Sequence, residues 1–308
     1  DVYKRQAESW AYSDSFYDTP MLDAVGHPVV VNPDPRMVLV AATRRWPTVN
    51  LDVSPGVVKI PVVGLEVQDL ALQLARPALY PYARFDLGDV DHIPDSGPCI
   101  LVGNHRSYFD VSAMSLVIAK SGRPARFLGK KEVFDAPIVG QVAAAMGGIR
   151  VDRATGSDEP LQAAADALAG GEMVAMMPEG TIPRGPAFFD PVLRGRWGAA
   201  RLAQMTGAPV VPVGLWGTEK VWPRSKRLPN MLNFTDPPTV RVRVGPPVKL
   251  KGKSLGADTK RIMKAIVAQL PDEAREHRTP TREELLATFP PGYSGDPEHE
   301  SSRRPGED

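Results

Sequence analysis

The sequence has few of the features that define several large classes of protein. It contains a single cysteine, Cys99, which excludes an internal disulfide framework and suits a reducing compartment. Its 37 basic and 36 acidic residues give a net charge of +1, so no strong overall field attracts nucleic acid. No apolar run reaches the roughly 18–20 residues that a membrane-spanning helix needs. The 43% of hydrophobic residues in 308 is nevertheless enough for a packed core in one large domain or two ordinary ones.

Short apolar runs alternate with helical patterns from about residue 86 to residue 270. Strands that alternate with helices predict an α/β fold, with a mixed, largely parallel sheet flanked by helices and ligands at the strand ends. The predicted strands are 100–102, 126–128, 149–151, 173–177, 210–215 and 240–244. The predicted helices are 108–120, 138–146, 161–169, 195–206 and 259–270.

Composition divides the chain into four parts. Residues 1–50, with a valine run at 29–31 and a helical pattern from about residue 36, predict the end of an α/β domain. Residues 51–85 predict a linker, in which leucines between 65 and 74 indicate an amphipathic helix. Residues 86–278 form the main predicted domain. Residues 279–308 are rich in Pro, Gly, Ser and charge and predict a disordered tail.

The segment 103–110, Gly-Asn-His-Arg-Ser-Tyr-Phe-Asp, follows a predicted strand and opens a predicted helix. His105 and Asp110 can meet only if His105 lies in the loop and Asp110 in the first helical turn, with Ser107 as the N-cap. A carboxylate bonded to one imidazole nitrogen would fix the tautomer and leave the other nitrogen as a base. In the alternative interpretation these residues form a capping box, and Asp110 only holds the start of the helix.

The pattern Asn-His-x-Ser-x-x-Asp resembles the first signature of the glycerolipid acyltransferase family, typified by 1-acyl-glycerol-3-phosphate acyltransferase. In that family the His is the general base and the Asp orients it. The resemblance therefore implies catalytic roles for His105 and Asp110. It also implies that Asn104 and Ser107 contact the substrate.

The segment 147–153, Gly-Gly-Ile-Arg-Val-Asp-Arg, resembles the second block of the same family. Arginine offers a planar, permanently charged fork that suits phosphate. The resemblance implies that Arg153 binds the acceptor phosphate, with Arg150 as a weaker candidate. On composition alone, a solvated strand end is an equal alternative.

The segment 176–181, Met-Met-Pro-Glu-Gly-Thr, resembles the third block, which is associated with holding the glycerol phosphate. Its Pro and Gly predict a tight turn that exposes the Glu and backbone N–H groups at the sheet edge. The backbone N–H groups near Gly180 are candidate donors to an oxyanion. An ordinary turn with a surface Glu is the alternative. The family usually has an Arg directly after the Thr, whereas here two residues intervene before Arg184. The substrate-binding residues implied by this block are Glu179, Gly180, Thr181 and Arg184.

Together these blocks, in the family's order over roughly residues 86–250, imply an O-acyltransferase. It would move a fatty acyl group from acyl-CoA or acyl-carrier protein to the free hydroxyl of a lysophospholipid, with 1-acyl-glycerol-3-phosphate as the expected acceptor. The thioester is a co-substrate, and neither a cofactor nor a metal is expected. No cysteine nucleophile is needed, so Cys99 is expected in the core of a strand. We expect a peripheral position on the cytoplasmic face of a membrane and no nucleic-acid partner.

Three other functions stay open at this point. The acceptor is glycerol-3-phosphate or another lysolipid in one alternative. In another the protein is a catalytically decayed lipid-binding protein, and in the third it is a metal-dependent phosphatase. The last follows from residues 12–34, which resemble the end of a phosphoserine-phosphatase-like haloacid dehalogenase domain, with Asp14 and Asp18 placed like acids at a Mg²⁺ site. The nucleophilic Asp-x-Asp motif of that family belongs far upstream. We therefore expect residues 1–50 to be a truncated remnant whose upstream half is missing from this chain, without phosphatase activity.

Overall fold

The computed structural model describes residues 2–49, 75–130, 147–151 and 159–299. Two compact units contain these residues: the smaller includes residues 2–49, and the larger includes residues 75–130 and 149–299. None of the described helices combines the length and hydrophobicity required to span a bilayer. The amphipathic helix predicted between 65 and 74, the helix predicted at 138–146 and the predicted phosphate ligand Arg153 lie outside the described residues.

The smaller unit is a three-stranded parallel sheet with a core of Leu22, Val30, Met37 and Ala41. The valine run at 29–31 lies in a strand, and the helical pattern that starts at about residue 36 forms a helix. Ser13 Oγ donates a 2.6 Å hydrogen bond to Asp18, one of the two acids expected at a Mg²⁺ site. In sheet order its strands are β1 Trp10–Ser13, β2 His27–Val31 and β3 Thr48–Val49, and its helices are α1 Val2–Ala7, α2 Thr19–Asp23 and α3 Pro35–Arg44.

The larger unit is built on a seven-stranded sheet. Its strands are β4 Arg84–Gly88, β5 Cys99–Gly103, β6 Ala125–Lys130, β7 Ile149–Val151, β8 Met173–Met176, β9 Val210–Trp216 and β10 Thr239–Val244. Their order across the sheet is β4-β10-β9-β5-β8-β6-β7. Every neighbouring pair is parallel except β9 and β10, which are antiparallel. The predicted α/β class with a mixed, largely parallel sheet is therefore confirmed.

Helices follow most of these strands, as the alternating pattern predicts. They are α4 Asp110–Ser121, α5 Glu159–Ala169, α6 Gly198–Thr206, α7 Thr218–Val221, α8 Leu255–Val267 and α9 Arg282–Ala287. Short 3₁₀ turns are Phe16–Asp18 in the smaller unit, and Pro77–Leu79, Val90–His92, Gly185–Phe188 and Asp272–Ala274 in the larger. Gly122 caps the C-terminal end of α4, and its φ of 72° is a left-handed conformation that glycine adopts without strain.

The central strand β5 shows how the sheet is covered on both faces. All of its residues are buried, and successive side chains point to opposite faces. Cys99 and Leu101 join one apolar cluster with Val117 of α4, whereas Ile100 and Leu202 of α6 join a second cluster. Burial raises the pKa of the Cys99 thiol to about 12, and the expectation that this cysteine lies in the core is confirmed.

Two boundaries differ from those predicted. Strand β4 begins at Arg84, inside the segment predicted as a linker, because it pairs with β10 far along the chain. The tail expected to be disordered instead forms α9, so that expectation is wrong for residues 282–289. A capping box between Thr281 and Glu284 starts this helix, and Phe289 behind it is completely buried. Composition did not predict this helix, because the stretch is polar on average and is ordered by one capping box and a few buried side chains.

Candidate active site

Three neighbouring strands, β9, β5 and β8, are parallel and end at the same edge of the sheet. The chain leaves β5 into Asn104 and His105, leaves β8 towards Glu179, and leaves β9 towards Thr218. Ligands of open α/β sheets bind at the carboxyl ends of strands. The polar residues predicted from two separate sequence blocks are therefore brought to one place.

The carboxylate of Asp110 organises this edge of the sheet. It is fully buried, and its Oδ2 accepts hydrogen bonds from Nδ1 of His105 at 2.7 Å and from the backbone N–H groups of Arg106 and Ser107 at 2.6 and 2.8 Å. Its Oδ1 accepts a bond from Thr218 Oγ1 at 2.5 Å. The predicted meeting of the two side chains is confirmed, with the imidazole in the loop and the acid in the first turn of α4.

This arrangement defines the protonation pattern of the imidazole. Because an ionised carboxylate only accepts hydrogen bonds, the proton of neutral His105 lies on Nδ1, and Nε2 carries the lone pair. The His105 side chain is 20% exposed, so a substrate can reach it, while its partner Asp110 is completely buried. The pair therefore has the geometry of a general base with its orienting acid.

Ser107 does not occupy the predicted N-cap position, because α4 begins only at Asp110 and the N-cap is Phe109. The Oγ of Ser107 accepts the N–H of Phe109 at 3.0 Å and donates to the carbonyl of Trp222 at 2.7 Å. The carboxylate of Asp110 does accept the Ser107 N–H, as a capping box would require. Asp110 therefore contacts both the His105 ring and the backbone before α4, and the Ser107 hydroxyl joins protein segments where a substrate contact was expected.

Asn104 also differs from the expected substrate contact. Its side chain is fully buried, and the two ends of its amide bind one residue of β9. Nδ2 donates to the carbonyl of Leu215 at 2.9 Å, and Oδ1 accepts the N–H of Leu215 at 2.7 Å. The amide thus fastens the end of β5 to β9 and fixes the point from which the His105 loop departs.

The expectation that Glu179 lies exposed at the sheet edge is wrong. Its side chain is 5% exposed, and Oε1 accepts the backbone N–H of His105 at 2.7 Å. Burial raises the pKa of Glu179 to about 8, although the bond from His105 and the charge of Arg106 act in the opposite direction. Gly180, at φ 71°, donates its N–H to the carbonyl of Met177 at 2.9 Å. This N–H closes the turn and does not point at an oxyanion.

The arginines of the larger unit lie in different surroundings. Arg106 lies between the rings of Phe188 and Trp216, each 4.2 Å away, and its Nη2 bonds Glu219 at 3.1 Å. Arg184 is buried at the start of the 3₁₀ turn Gly185–Phe188. Arg150 is exposed on the edge strand β7, and Thr181 is half-buried.

Sequence reasoning missed two residues of this region. Thr218 binds Asp110 from 108 positions away, so no local pattern connects them. Arg196 donates its backbone N–H to the carbonyl of Pro178 at 2.8 Å, beside the Glu179 turn. Its Nε and Nη2 are buried without a hydrogen-bond partner among the described residues, which suits an anion contact. The Pro-Glu-Gly-Thr block gives no hint of an arginine so much later in the chain.

The geometry agrees with a comparison of the chain with protein families. Residues 84–216 match the family model described as Acyltransferase. We refer to residues 84–216, which are similar to that family, as the acyltransferase segment. The family resemblance expected from the His-Asp and Pro-Glu-Gly-Thr blocks is thereby confirmed for this part of the chain. The acyltransferase segment contains β4 to β9 and the His105–Asp110 pair.

Curated relatives of the chain include two chloroplast enzymes named 1-acyl-sn-glycerol-3-phosphate acyltransferase. The one from Brassica napus is 29% identical over 56% of this chain and 48% of the relative, and the one from Arabidopsis thaliana is 28% identical over 48% and 40%. The chain thus spans less than half the length of these relatives. The crystal structure of the 1-acyl-sn-glycerophosphate (LPA) acyltransferase PlsC from Thermotoga maritima aligns with 24% identity and a TM-score of 0.49, over 65% of this chain and 76% of that one.

Proposed function

We propose that the protein transfers a fatty acyl group from a thioester to the free hydroxyl of a lysophospholipid, with 1-acyl-glycerol-3-phosphate as the acceptor and phosphatidic acid as the product. The observation that carries this proposal is the 2.7 Å bond between Nδ1 of His105 and buried Asp110, at the common end of three parallel strands. The names of the curated relatives support the same acceptor.

The reaction needs one base and no covalent enzyme intermediate. His105 Nε2 removes the proton of the acceptor hydroxyl as the hydroxyl oxygen attacks the thioester carbonyl carbon. The new C–O bond forms, the C–S bond breaks, and the proton passes from Nε2 to the departing thiolate. Asp110 keeps the proton on Nδ1 and stabilises the imidazolium while it exists. Cys99, buried in β5, takes no part.

The acceptor phosphate requires cationic partners near this edge. Arg153 is the residue that the family resemblance implies, and Arg184 replaces the Arg that usually follows the Thr of the third block. We add Arg196, because Nε and Nη2 of its guanidinium are buried without a hydrogen-bond partner among the described residues and its backbone N–H bonds the Pro178 carbonyl. The donor is acyl-CoA or acyl-carrier protein, and its thioester needs no resident cofactor or metal.

Two further proposals concern the setting of this reaction. We propose that the protein works on the cytoplasmic face of a membrane as a peripheral protein, since its acceptor is a membrane lipid. We also propose that residues 1–50 are the end of a phosphoserine-phosphatase-like domain, on the basis of the resemblance at 12–34 and of the parallel strands β1–β3.

The test is acyl transfer from labelled acyl-CoA, and in parallel from acyl-carrier protein, to 1-acyl-glycerol-3-phosphate in detergent micelles. The parent should form labelled phosphatidic acid, and His105→Gln should lose at least about 100-fold in rate while its melting temperature is retained. Faster transfer to glycerol-3-phosphate would favour the alternative acceptor. A folded parent that binds lipid but acylates none of these acceptors would support the decayed lipid-binding protein and overturn the proposal.

A further inference from the structure

A loop beside the candidate site exposes large apolar side chains. It comprises residues 222–234, between α7 and β10, and we refer to it as the apolar–basic loop. Within seven positions it presents Leu228, Met231, Leu232 and Phe234, whose side chains are 67%, 49%, 82% and 57% exposed. Clustered exposed side chains of this size normally mark an interaction surface, because their contact with water is unfavourable.

The same loop has charge of one sign. It contains Arg224, Lys226 and Arg227 and has no acidic residue from 222 to 234. Lys226 and Arg227 are exposed, immediately before the apolar positions. Basic residues next to exposed Leu and Phe are the combination that binds an anionic bilayer surface, where the apolar side chains enter the interface and the cations contact headgroups.

The loop is fastened to the segments that form the site. The carbonyl of Trp222 accepts the hydroxyl of Ser107 at 2.7 Å, and the ring of Trp222 packs 5.5 Å from that of Tyr108. Arg224 Nη1 donates to the carbonyl of Ile182 at 2.8 Å, just after the Pro-Glu-Gly-Thr turn. A surface that binds this loop is therefore held next to His105.

We propose that the apolar–basic loop docks the protein on an anionic lipid bilayer and presents His105 to acceptor molecules in that bilayer. The inference rests on the proposed lysolipid acceptor. The occupant is a lipid surface because exposed cations directly precede the exposed apolar side chains in one short loop, and this loop neighbours a site for a lipid headgroup. Tyr108, half-exposed beside His105, extends the apolar surface from the loop to the site.

The first test measures binding without any acyl donor, by sedimentation of the full chain with vesicles of phosphatidylcholine alone or with added phosphatidylglycerol. Leu232→Asn/Phe234→Asn should weaken binding to the anionic vesicles roughly tenfold or more. Its control is Met205→Asn, an exposed apolar side chain at the end of α6, at the opposite edge of the sheet, and this variant should bind like the parent.

The second test removes charge. Lys226→Gln/Arg227→Gln should weaken binding to anionic vesicles roughly tenfold and leave the weak binding to neutral vesicles unchanged. Lys251→Gln/Lys253→Gln removes the same charge from an exposed segment near the beginning of β9 and should have little effect. Equal binding by the loop variants and their controls would overturn the docking proposal.

Activity separates this inference from the proposed function. In detergent micelles the loop variants should acylate a dispersed lysolipid at the parental rate, whereas on anionic vesicles their rate should fall with binding. If the parent acylates nothing, the binding result still decides the role of the loop. If the loop variants lose activity equally in micelles and vesicles while binding normally, the loop shapes the site and does not dock it.

Discussion

Thr218 donates a 2.5 Å hydrogen bond to Oδ1 of Asp110, the carboxylate oxygen that His105 does not use. With donors on both oxygens, the plane of the carboxylate is fixed, and it fixes the imidazole in turn. The donor comes from the end of β9, whereas the histidine comes from the end of β5. The alignment of the base therefore depends on the pairing of two strands that are distant in sequence.

The Thr218 hydroxyl should matter for both rate and stability. Thr218→Val leaves Oδ1 of Asp110 buried without its donor, which should cost about 1–3 kcal/mol of unfolding free energy and lower kcat several-fold. Urea unfolding and initial rates measure the two effects. Thr218→Ser restores the hydroxyl and should recover most of both. A Val variant with parental kcat would show that the second oxygen does not help to orient the base.

Substitution of Asp110 should lower the free energy of unfolding more than substitution of His105. Asp110→Asn removes the negative charge that stabilises the imidazolium and leaves one acceptor oxygen where the carboxylate has two, so it should lose at least about 100-fold in rate and about 2–4 kcal/mol of stability. His105→Gln should lose activity alone, because its side chain is partly exposed. Calorimetry beside the acyl-transfer assay compares them, and equal stability losses would contradict the assignment.

The buried carboxyl of Glu179 should make stability fall as pH rises. Its pKa of about 8 in the folded protein exceeds the ordinary value of 4.5, so the folded state holds more protons than the unfolded state between these pH values. The melting temperature should therefore decrease more steeply from pH 5 to pH 8 in the parent than in Glu179→Gln, which keeps an acceptor for the His105 N–H. Parallel melting curves for the two proteins across this range would refute the raised pKa.

Asn104 should behave as a structural residue. Asn104→Ala leaves the N–H and carbonyl of Leu215 without their side-chain partners and should cost about 2–4 kcal/mol. The expected signature is a lower melting temperature with little change in KM for the acceptor at a temperature where the variant is folded. A large rise in KM with parental stability would instead restore the substrate contact expected from sequence.

The C-terminal stretch should contribute to stability. Phe289 is fully buried and stacks on Tyr293 at 4.0 Å, and Thr288 beside it accepts the N–H of Gly185 at 2.8 Å. Phe289→Ala should cost about 3–5 kcal/mol. The control is Leu286→Ala, a partly exposed neighbour on α9, for which a loss within about 1 kcal/mol is expected. Denaturant unfolding that does not distinguish the two would mean that the stretch is detached in solution.

Much of the fold can be predicted from local sequence patterns, and the rest depends on contacts between residues that are distant in sequence. The strands, the α/β class and the meeting of His105 with Asp110 follow from short segments that contain all the required information. The exposure of Glu179 was predicted wrongly and the contacts of Asn104 and Thr218 were missed, because each of these residues bonds a residue from another strand end. A buried Glu that accepts a backbone N–H has the same sequence letters as a surface Glu in a turn.

The position of β10 has a consequence for the synthesis of the protein. This strand lies between β4 and β9, so among the described strands β4 at residues 84–88 has no neighbour in the sheet until residues 239–244 have left the ribosome. Because β4 and β10 are far apart in the chain, they pair late and their pairing is slow. The nascent acyltransferase segment therefore leaves the exit tunnel with its first strand unpaired, and chaperones that shield exposed strand edges should be most needed during that interval.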